Sequence, residues 1–259
     1  MNTTYSDYLT IARDTARSIE AIKRQPTVSR ATDYYLEKIG QIKTAEEFVS
    51  DRRLLTYAMT AFGLGDMTYA KGFVRKLLKD GTDLPEAFAN QLTDQRYLDF
   101  AKAFDFKRYG AATTAFGAAQ TGVVDKYLRQ TLEAQAGARN EGVRLALYFE
   151  RAAPKLENVT EILADRALIQ VVRTALSLPD SFSLYDIDKQ ISFLETRIKV
   201  EDFASPAKLR KFVERFSALW DVSRPSQSSS LITALFSASS SGGLTEASLA
   251  ALTNARARR

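Results

Sequence analysis

The chain has 259 residues, of which 45% are hydrophobic, enough to bury one large core or two smaller ones. It contains neither cysteine nor histidine, which excludes disulfides, thiolate catalysis, zinc–sulfur sites and histidine-based proton transfer. The net charge of +5 is concentrated near one end, because the residues from Val222 onward carry four arginines and one glutamate. The rest of the chain is nearly neutral, so we expect no nucleic-acid partner.

The beginning of the chain lacks the basic start, apolar run and small-residue cleavage site of a secretory signal. No segment approaches the roughly 20 apolar residues that are needed to span a bilayer. We therefore expect a protein that is made in the cytoplasm without a cleavable signal and that has no membrane span.

Apolar residues recur every three or four positions along most of the chain, which is the period of a helix face. Val124, Leu128 and Leu132 are one example. The pattern predicts an all-α fold, a multi-helix array with helices near 4–24, 29–40, 44–62, 66–80, 85–105, 119–152, 159–177, 184–197 and 206–221.

An internal repeat divides this array. The segment EEFVSDRRLLTYAMTAFGLGD, which ends at Asp66, aligns without gaps on TEILADRALIQVVRTALSLPD, which ends at Asp180, 114 residues later. Such a register predicts an internal duplication of one helical unit. We expect N-terminal helices in 1–43, a first repeat unit in 44–106, a linker and a long central helix in 107–157, a second repeat unit in 158–221, and a Ser-rich linker with a short amphipathic basic tail in 222–259.

Asp51 and Asp165 occupy the same position in the two copies and are predicted to be structural helix caps. Each precedes an apolar-periodic segment, where a short carboxylate accepts hydrogen bonds from free backbone N–H groups. Arg52 and Arg166 follow directly and are expected to pair with a nearby carboxylate. A functional role for this repeated signature is the alternative.

No residue set predicts a catalytic, cofactor or metal site. Asp186 and Asp188 have a spacing that holds a divalent cation in some enzymes, but their position favours the first turn of a helix. Gly63 and Gly65 match a fragment of a phosphate loop, yet no strand precedes them, so a helix end followed by a turn is favoured. The small, polar residues of 108–122 predict a flexible connection.

The composition changes after Val222. The run SRPSQSSS is typical of a linker, and a short apolar cluster and a weakly amphipathic basic end follow it. Either this tail is disordered or it becomes ordered on a partner. For the second case the candidate partner-binding residues are Leu231, Ile232, Leu235, Phe236, Leu249 and Leu252.

Four segments carry a resemblance to a known family: SDRRLLTYAMTAFGLGDMTYAKGFVRKLLKDG, FANQLTDQRYLDFAKAFDF, QTGVVDKYLRQTLEAQAGARNEGVRLALYFERAAP and ADRALIQVVRTALSLPD. From about Tyr34 to Asp221 the chain resembles the bacterial domain-of-unknown-function family twelve-seventeen, whose members are frequently encoded within flagellar gene clusters. The resemblance implies an all-helical fold and a link to flagellar assembly or structure. It implies no catalytic residues.

Together these observations favour a non-enzymatic protein–protein interaction component with flagellar protein partners and no cofactor; a homo-oligomer is compatible with them. The lack of cysteine and of a cleavable signal suits a chain that must stay unfoldable for export to the flagellum. One alternative is a cytosolic flagellar regulator or export chaperone that binds a client in a groove between the two repeat units. Another is an enzyme that uses only carboxylates and arginines.

Overall fold

Helices form the regular elements of the computed structural model, which describes residues 3–223. No β-strand occurs in that part of the chain, so the predicted all-α class is confirmed there. The helices are α1 (Thr4–Ala12), α2 (Thr15–Lys23), α3 (Pro26–Ile39), α4 (Ala45–Ser50), α5 (Arg52–Ala61), α6 (Lys71–Asp80), α7 (Gln95–Ala103), α8 (Phe106–Tyr109), α9 (Thr121–Arg139), α10 (Glu141–Ala152), α11 (Val159–Ala164), α12 (Arg166–Ala175), α13 (Ile187–Glu195) and α14 (Pro206–Ser223). Short 3-10 turns lie at Gly65–Met67, Phe88–Gln91, Gly110–Ala115, Ala153–Lys155, Asp180–Leu184 and Val200–Ala204.

One or two polar residues interrupt several of the long helices that the sequence predicts. Asp14 separates α1 from α2, Asp51 separates α4 from α5, Asn140 separates α9 from α10, and Asp165 separates α11 from α12. Each of these side chains accepts a hydrogen bond from a backbone N–H of the helix that follows. This bond competes with continuation of the preceding helix. The predictions of one continuous helix across each of these residues are therefore wrong.

Three other predicted elements differ from the structure. The predicted helices 66–80 and 85–105 begin with turns and become α-helical only in α6 and α7. The segment 108–122 is packed rather than a flexible connection, because it buries Thr113 and Thr114. The Thr114 hydroxyl donates to the carbonyl oxygen of Ile42 at 2.7 Å, and this long-range bond satisfies a buried polar group that the composition of the segment does not reveal.

The first hydrophobic core lies among α2 to α7 and α9. Its centre is aromatic: the ring centroid of Phe48 lies 6.1 Å from that of Phe100 and 4.6 Å from that of Phe104. Phe62 packs edge-on against Phe100 at 5.4 Å. Helix α9 completes this core with Val123, Val124, Leu128 and Leu132, so part of the segment predicted as a linker and long central helix belongs to the first core.

The second hydrophobic core is built by α10 to α14 together with α1. Phe149, Phe203 and Phe212 form a triangle with ring centroids 5.1 to 5.2 Å apart. Helix α1 contributes Tyr8, although it begins the chain. The chain therefore starts in the second core, passes through the first, and returns.

A small polar network joins α1 to α10 and α14. The backbone N–H of Thr4 donates to Asp221 Oδ2 at 3.0 Å, and its hydroxyl donates to the other carboxylate oxygen. Asn140 Nδ2 donates to that same hydroxyl at 2.9 Å. Beside this network Gly142 lies so close to Trp220 that an added Cβ would be 2.5 Å from the indole ring. These hydrogen bonds and this close packing hold α1, the start of α10 and the end of α14 against one another.

None of the helices within residues 3–223 combines the length and the apolar character needed to cross a membrane.

Candidate functional site

A cleft of about 390 Å³ opens between the two cores. The start of α7, from the first core, forms one wall, and α10, α11 and α12, from the second core, form the other. We call it the inter-core cleft. It is mixed in charge: Arg96, Lys102 and Arg151 line it together with carboxylates that include Asp94 and Asp165.

Arg96 connects the α7 wall to the first core. Its guanidinium makes a two-pronged contact with Asp94, with Nε 3.0 Å from Oδ1 and Nη2 2.7 Å from Oδ2. Its Nη1 donates to the carbonyl oxygen of Gly63 at 2.9 Å. Burial disfavours the charged guanidinium, but the hydrogen bonds and charge of Asp94 outweigh it and raise the pKa of Arg96 above its usual value. Arg96 is therefore a fixed cation held between two elements.

Tyr148 and Asp165 form the centre of the opposite wall. Tyr148, on α10, is 9% exposed and donates its hydroxyl hydrogen to Asp165 Oδ2. The other oxygen of Asp165 accepts from the backbone N–H groups of Ala167 and Leu168 at 2.8 and 3.1 Å. Burial, and then the neighbouring Asp165 carboxylate, raise the pKa of the Tyr148 hydroxyl. The tyrosine therefore stays neutral near pH 7.

A buried carboxylate lies behind this wall. Glu133, on α9, is 2% exposed and accepts from Arg129 Nε at 3.0 Å and from Arg151 Nε at 2.8 Å. Because α9 belongs to the first core and α10 to the second, the Glu133–Arg151 ion pair joins the two cores. Burial opposes the charge on Arg151, but hydrogen bonding to Glu133 overcomes it and raises the pKa of the guanidinium.

These shifts determine what the cleft can do chemically. Arg96, Tyr148 and Arg151 already lose their protons well above neutrality, and their pKa values are raised further. An efficient general acid or base has a pKa near the working pH, so these three groups are suited to fixing charge and hydrogen bonds rather than to moving protons. Within residues 3–223 no group of three or more aspartate, glutamate, histidine or cysteine residues is placed to hold a metal ion.

The structure places Asp51 and Asp165 at the capping positions that the sequence predicts. The backbone N–H of Leu54 donates to Asp51 Oδ1 at 2.9 Å, as that of Leu168 does to Asp165. The expectation that Arg52 and Arg166 pair with carboxylates is wrong, because neither guanidinium has a hydrogen-bond or ion-pair partner among residues 3–223. Both side chains are exposed to solvent on the first turn of their helices.

Two other predictions concern residues outside the inter-core cleft. Asp186 caps α13 by accepting from the backbone N–H of Asp188 at 3.0 Å, as the favoured interpretation predicts. The candidate partner-binding residues of the tail lie outside the described residues; they are Leu231, Ile232, Leu235, Phe236, Leu249 and Leu252.

Sequence reasoning missed Arg96, Glu133 and Tyr148. A signal for Tyr148 was present, because Tyr34 precedes it by the same 114 residues that separate the two repeated aspartates. For Arg96 and Glu133 the sequence offers no comparable signal, since their partners depend on how the two cores pack together.

The sequence matches a family model described as "Protein of unknown function (DUF1217)" over residues 61–209. The fold is similar to the X-ray crystal structure of protein AGR_C_984 from Agrobacterium tumefaciens, with 47% sequence identity and a TM-score of 0.80, over 86% of this chain and 94% of that chain. No curated protein matches the chain significantly. The family match covers more than half of the sequence and agrees with the segments that suggested the resemblance. The chain therefore belongs to the DUF1217 family.

Proposed function

We propose that this protein is a non-enzymatic protein–protein interaction component associated with bacterial flagellar structure or assembly. The observation that supports the interaction role is an exposed apolar surface at the start of α13. Leu184, Tyr185 and Ile187 are 85%, 56% and 51% exposed. Three large apolar side chains so close together are typical of surfaces that meet a partner. The flagellar association comes from the family resemblance.

The experiment is the localisation of an internally tagged copy in cells with and without a working flagellar export apparatus. The tag is placed in the exposed turn at Leu84, which leaves both chain ends unchanged. We expect the protein in purified hook–basal bodies or in the medium, and only when export works. The double variant Leu184→Ser, Ile187→Ser should lose this association and keep its helical circular dichroism spectrum. Tyr69→Ser, at a 77% exposed position elsewhere, is the matched control and should behave like the wild type.

The second candidate function is a cytosolic flagellar regulator or export chaperone that binds a client protein. The inter-core cleft favours this alternative, because its walls come from different cores and its fixed charges suit a polypeptide with mixed charges. In this case the tagged protein stays in the cytosol of both strains. Recovery of the protein in the cytosol, in complex with a flagellar protein, would support this second function and contradict the first.

A further inference from the structure

The positions related by the 114-residue repeat have the same local geometry. Tyr34 Oη donates to Asp51 Oδ2 at 2.7 Å, as Tyr148 Oη donates to Asp165 Oδ2. Each aspartate also caps the helix that follows it. This agreement reaches beyond the segment aligned by sequence and supports the predicted duplication.

The turns that follow α5 and α12 also match. Gly63 and Ser177 are 114 residues apart, and both have positive φ angles, 72° and 55°. The next residues, Leu64 and Leu178, each donate a backbone hydrogen bond of 2.8 Å to the preceding helix. Corresponding residues in the two units are therefore placed in corresponding ways, and their surfaces can be compared position by position.

Each unit has a groove along the outer side of its capped helix. The first groove, of about 390 Å³, runs between α5 and Tyr127 of α9. The second groove, of about 670 Å³, runs between α12 and the end of α14. Three lining positions correspond across the repeat. They are Arg52, Thr56 and Thr60 in the first groove and Arg166, Gln170 and Thr174 in the second.

The matched arginines, Arg52 and Arg166, have no counter-ion within residues 3–223. A cation on the first turn of a helix is disfavoured by the helix dipole, so helix stability does not account for either position. A second arginine lies beside each: Arg53 stacks over the ring of Tyr34 at 3.6 Å, and Arg173 binds Asp180 and Ser183. Each groove thus presents at least one unpaired guanidinium to its occupant.

Apolar and aromatic groups line part of both grooves, beside the threonines of the first and Ser177, Asp180 and Ser183 of the second. In the first groove Tyr127 stacks on Tyr57, with ring centroids 3.8 Å apart. In the second, Ile169, Leu178 and Leu219 line the walls, and the exposed surface at Leu184 follows the lining residue Ser183. An occupant must therefore offer apolar side chains as well as anionic groups.

We infer that the two grooves bind acidic, apolar segments of a protein partner, one segment in each groove. Carboxylates of the segment pair with Arg52 or Arg166, and its apolar side chains pack on the partly exposed Tyr127 or on the aliphatic wall. The inference rests on the proposed interaction function and adds the chemistry of the partner. Two corresponding grooves on one chain also allow a partner with two such segments to bind more tightly than either segment alone.

A nucleic acid fits these grooves less well. Tyr57 is 5% exposed and Trp220 is also 5% exposed, so their rings are covered and cannot act as a platform for stacked bases. The aliphatic side chains of the second groove match leucine or valine side chains rather than sugars and phosphates. RNA binding is therefore an outcome that counts against the inference.

The test is isothermal titration of the full chain with a defined probe, a leucine–glutamate amphipathic peptide of about 18 residues, or five helical turns. We expect two peptides to bind per chain, with an affinity that falls several-fold as salt approaches ~0.5 M. Arg52→Glu and Arg166→Glu should each reduce the stoichiometry from two to one, and the double variant should abolish binding. Both changes place a carboxylate on the first turn of a helix, which favours folding, so lost binding will not reflect unfolding.

Arg17→Glu is the matched control, because Arg17 is also an exposed arginine on the first turn of an Asp-capped helix and lies outside both grooves. It should still bind two peptides. The inference is overturned by no binding of the glutamate peptide, by equal binding of a leucine–lysine peptide or of polyuridine RNA, or by self-association of the chain that the groove variants abolish.

These outcomes are distinguishable from failure of the proposed function. Peptide binding together with cytosolic localisation would support the inference about the grooves and contradict the exported flagellar role. Export-dependent localisation without peptide binding would support the flagellar role and contradict the inference about the grooves.

Discussion

The ion pair between Glu133 and Arg151 provides a direct test of how the two cores are held together. The Glu133 carboxylate accepts one hydrogen bond from Arg129 and two from Arg151, the second from Nη2 at 3.0 Å. Glu133→Gln keeps the size of the side chain but removes its charge. The new amide also brings an N–H donor to a guanidinium that can only donate.

Breaking a fully buried pair costs about 3–5 kcal/mol, because an uncompensated charge stays buried. Here the guanidinium groups keep some contact with water, since the Arg129 and Arg151 side chains are 16% and 33% exposed. Arg129 also lies 3.9 Å from Glu150, which compensates part of its charge. We therefore expect Glu133→Gln to lower the free energy of unfolding by about 2–3 kcal/mol, or the melting temperature by about 4–12 °C.

The assay is urea unfolding followed by far-ultraviolet circular dichroism. Glu37→Gln is the control, because Glu37 is 68% exposed and its pairing with Lys38 lies on the surface; it should change stability by less than about 0.5 kcal/mol. Equal stability of the two variants would refute the conclusion that this carboxylate joins the cores.

Three further predictions concern other parts of the fold. Gly142→Ala should destabilise by about 1–3 kcal/mol in thermal melts, because the new methyl group would overlap the ring of Trp220, whereas Gly72→Ala, in a helix with open space around it, should stabilise by about 0.5–1 kcal/mol. The raised pKa of Tyr148 favours its neutral form in the folded state, so the stability it contributes is present below pH ~10 and is lost as the pH rises above that value; Tyr148→Phe should flatten this alkaline decline in urea midpoints, and an unchanged slope would exclude the residue as its source. Ser177→Gly should stabilise the turn by about 0.5–1 kcal/mol, because serine has a left-handed backbone there; a lower melting temperature would contradict this.

Much of the local structure follows from the sequence. Apolar periodicity located the helices, and the preference of aspartate for helix starts located the caps at Asp51 and Asp165. The lengths of the helices were predicted less well, because the same aspartates that begin one helix also end the one before it. At Asn140 the periodicity continues across the break, so only the backbone geometry separates α9 from α10.

The sites could be predicted only in part. The inter-core cleft depends on contacts between residues far apart in the chain, such as Arg96 and the carbonyl of Gly63, and no local pattern encodes such contacts. The grooves follow from the repeat only after its copies are compared in three dimensions. That Arg52 and Arg166 have no partner in the described part of the chain is likewise a property of the folded surface, since several carboxylates lie close to them in sequence.

The network that joins Thr4 to Asp221 has a consequence for how the chain folds during synthesis. The residues of the first core, from Ile22 to Leu132, leave the ribosome before those of α14, so this core can form while the rest of the chain is still being made. The second core needs α1, which precedes most of the first core in the chain, and α14, which follows it. Tyr8 therefore stays exposed to solvent or bound by a chaperone until Trp220 has left the ribosome. We therefore expect the second core to close after the first, and any factor that keeps α1 apart from α14 would leave the second core incomplete.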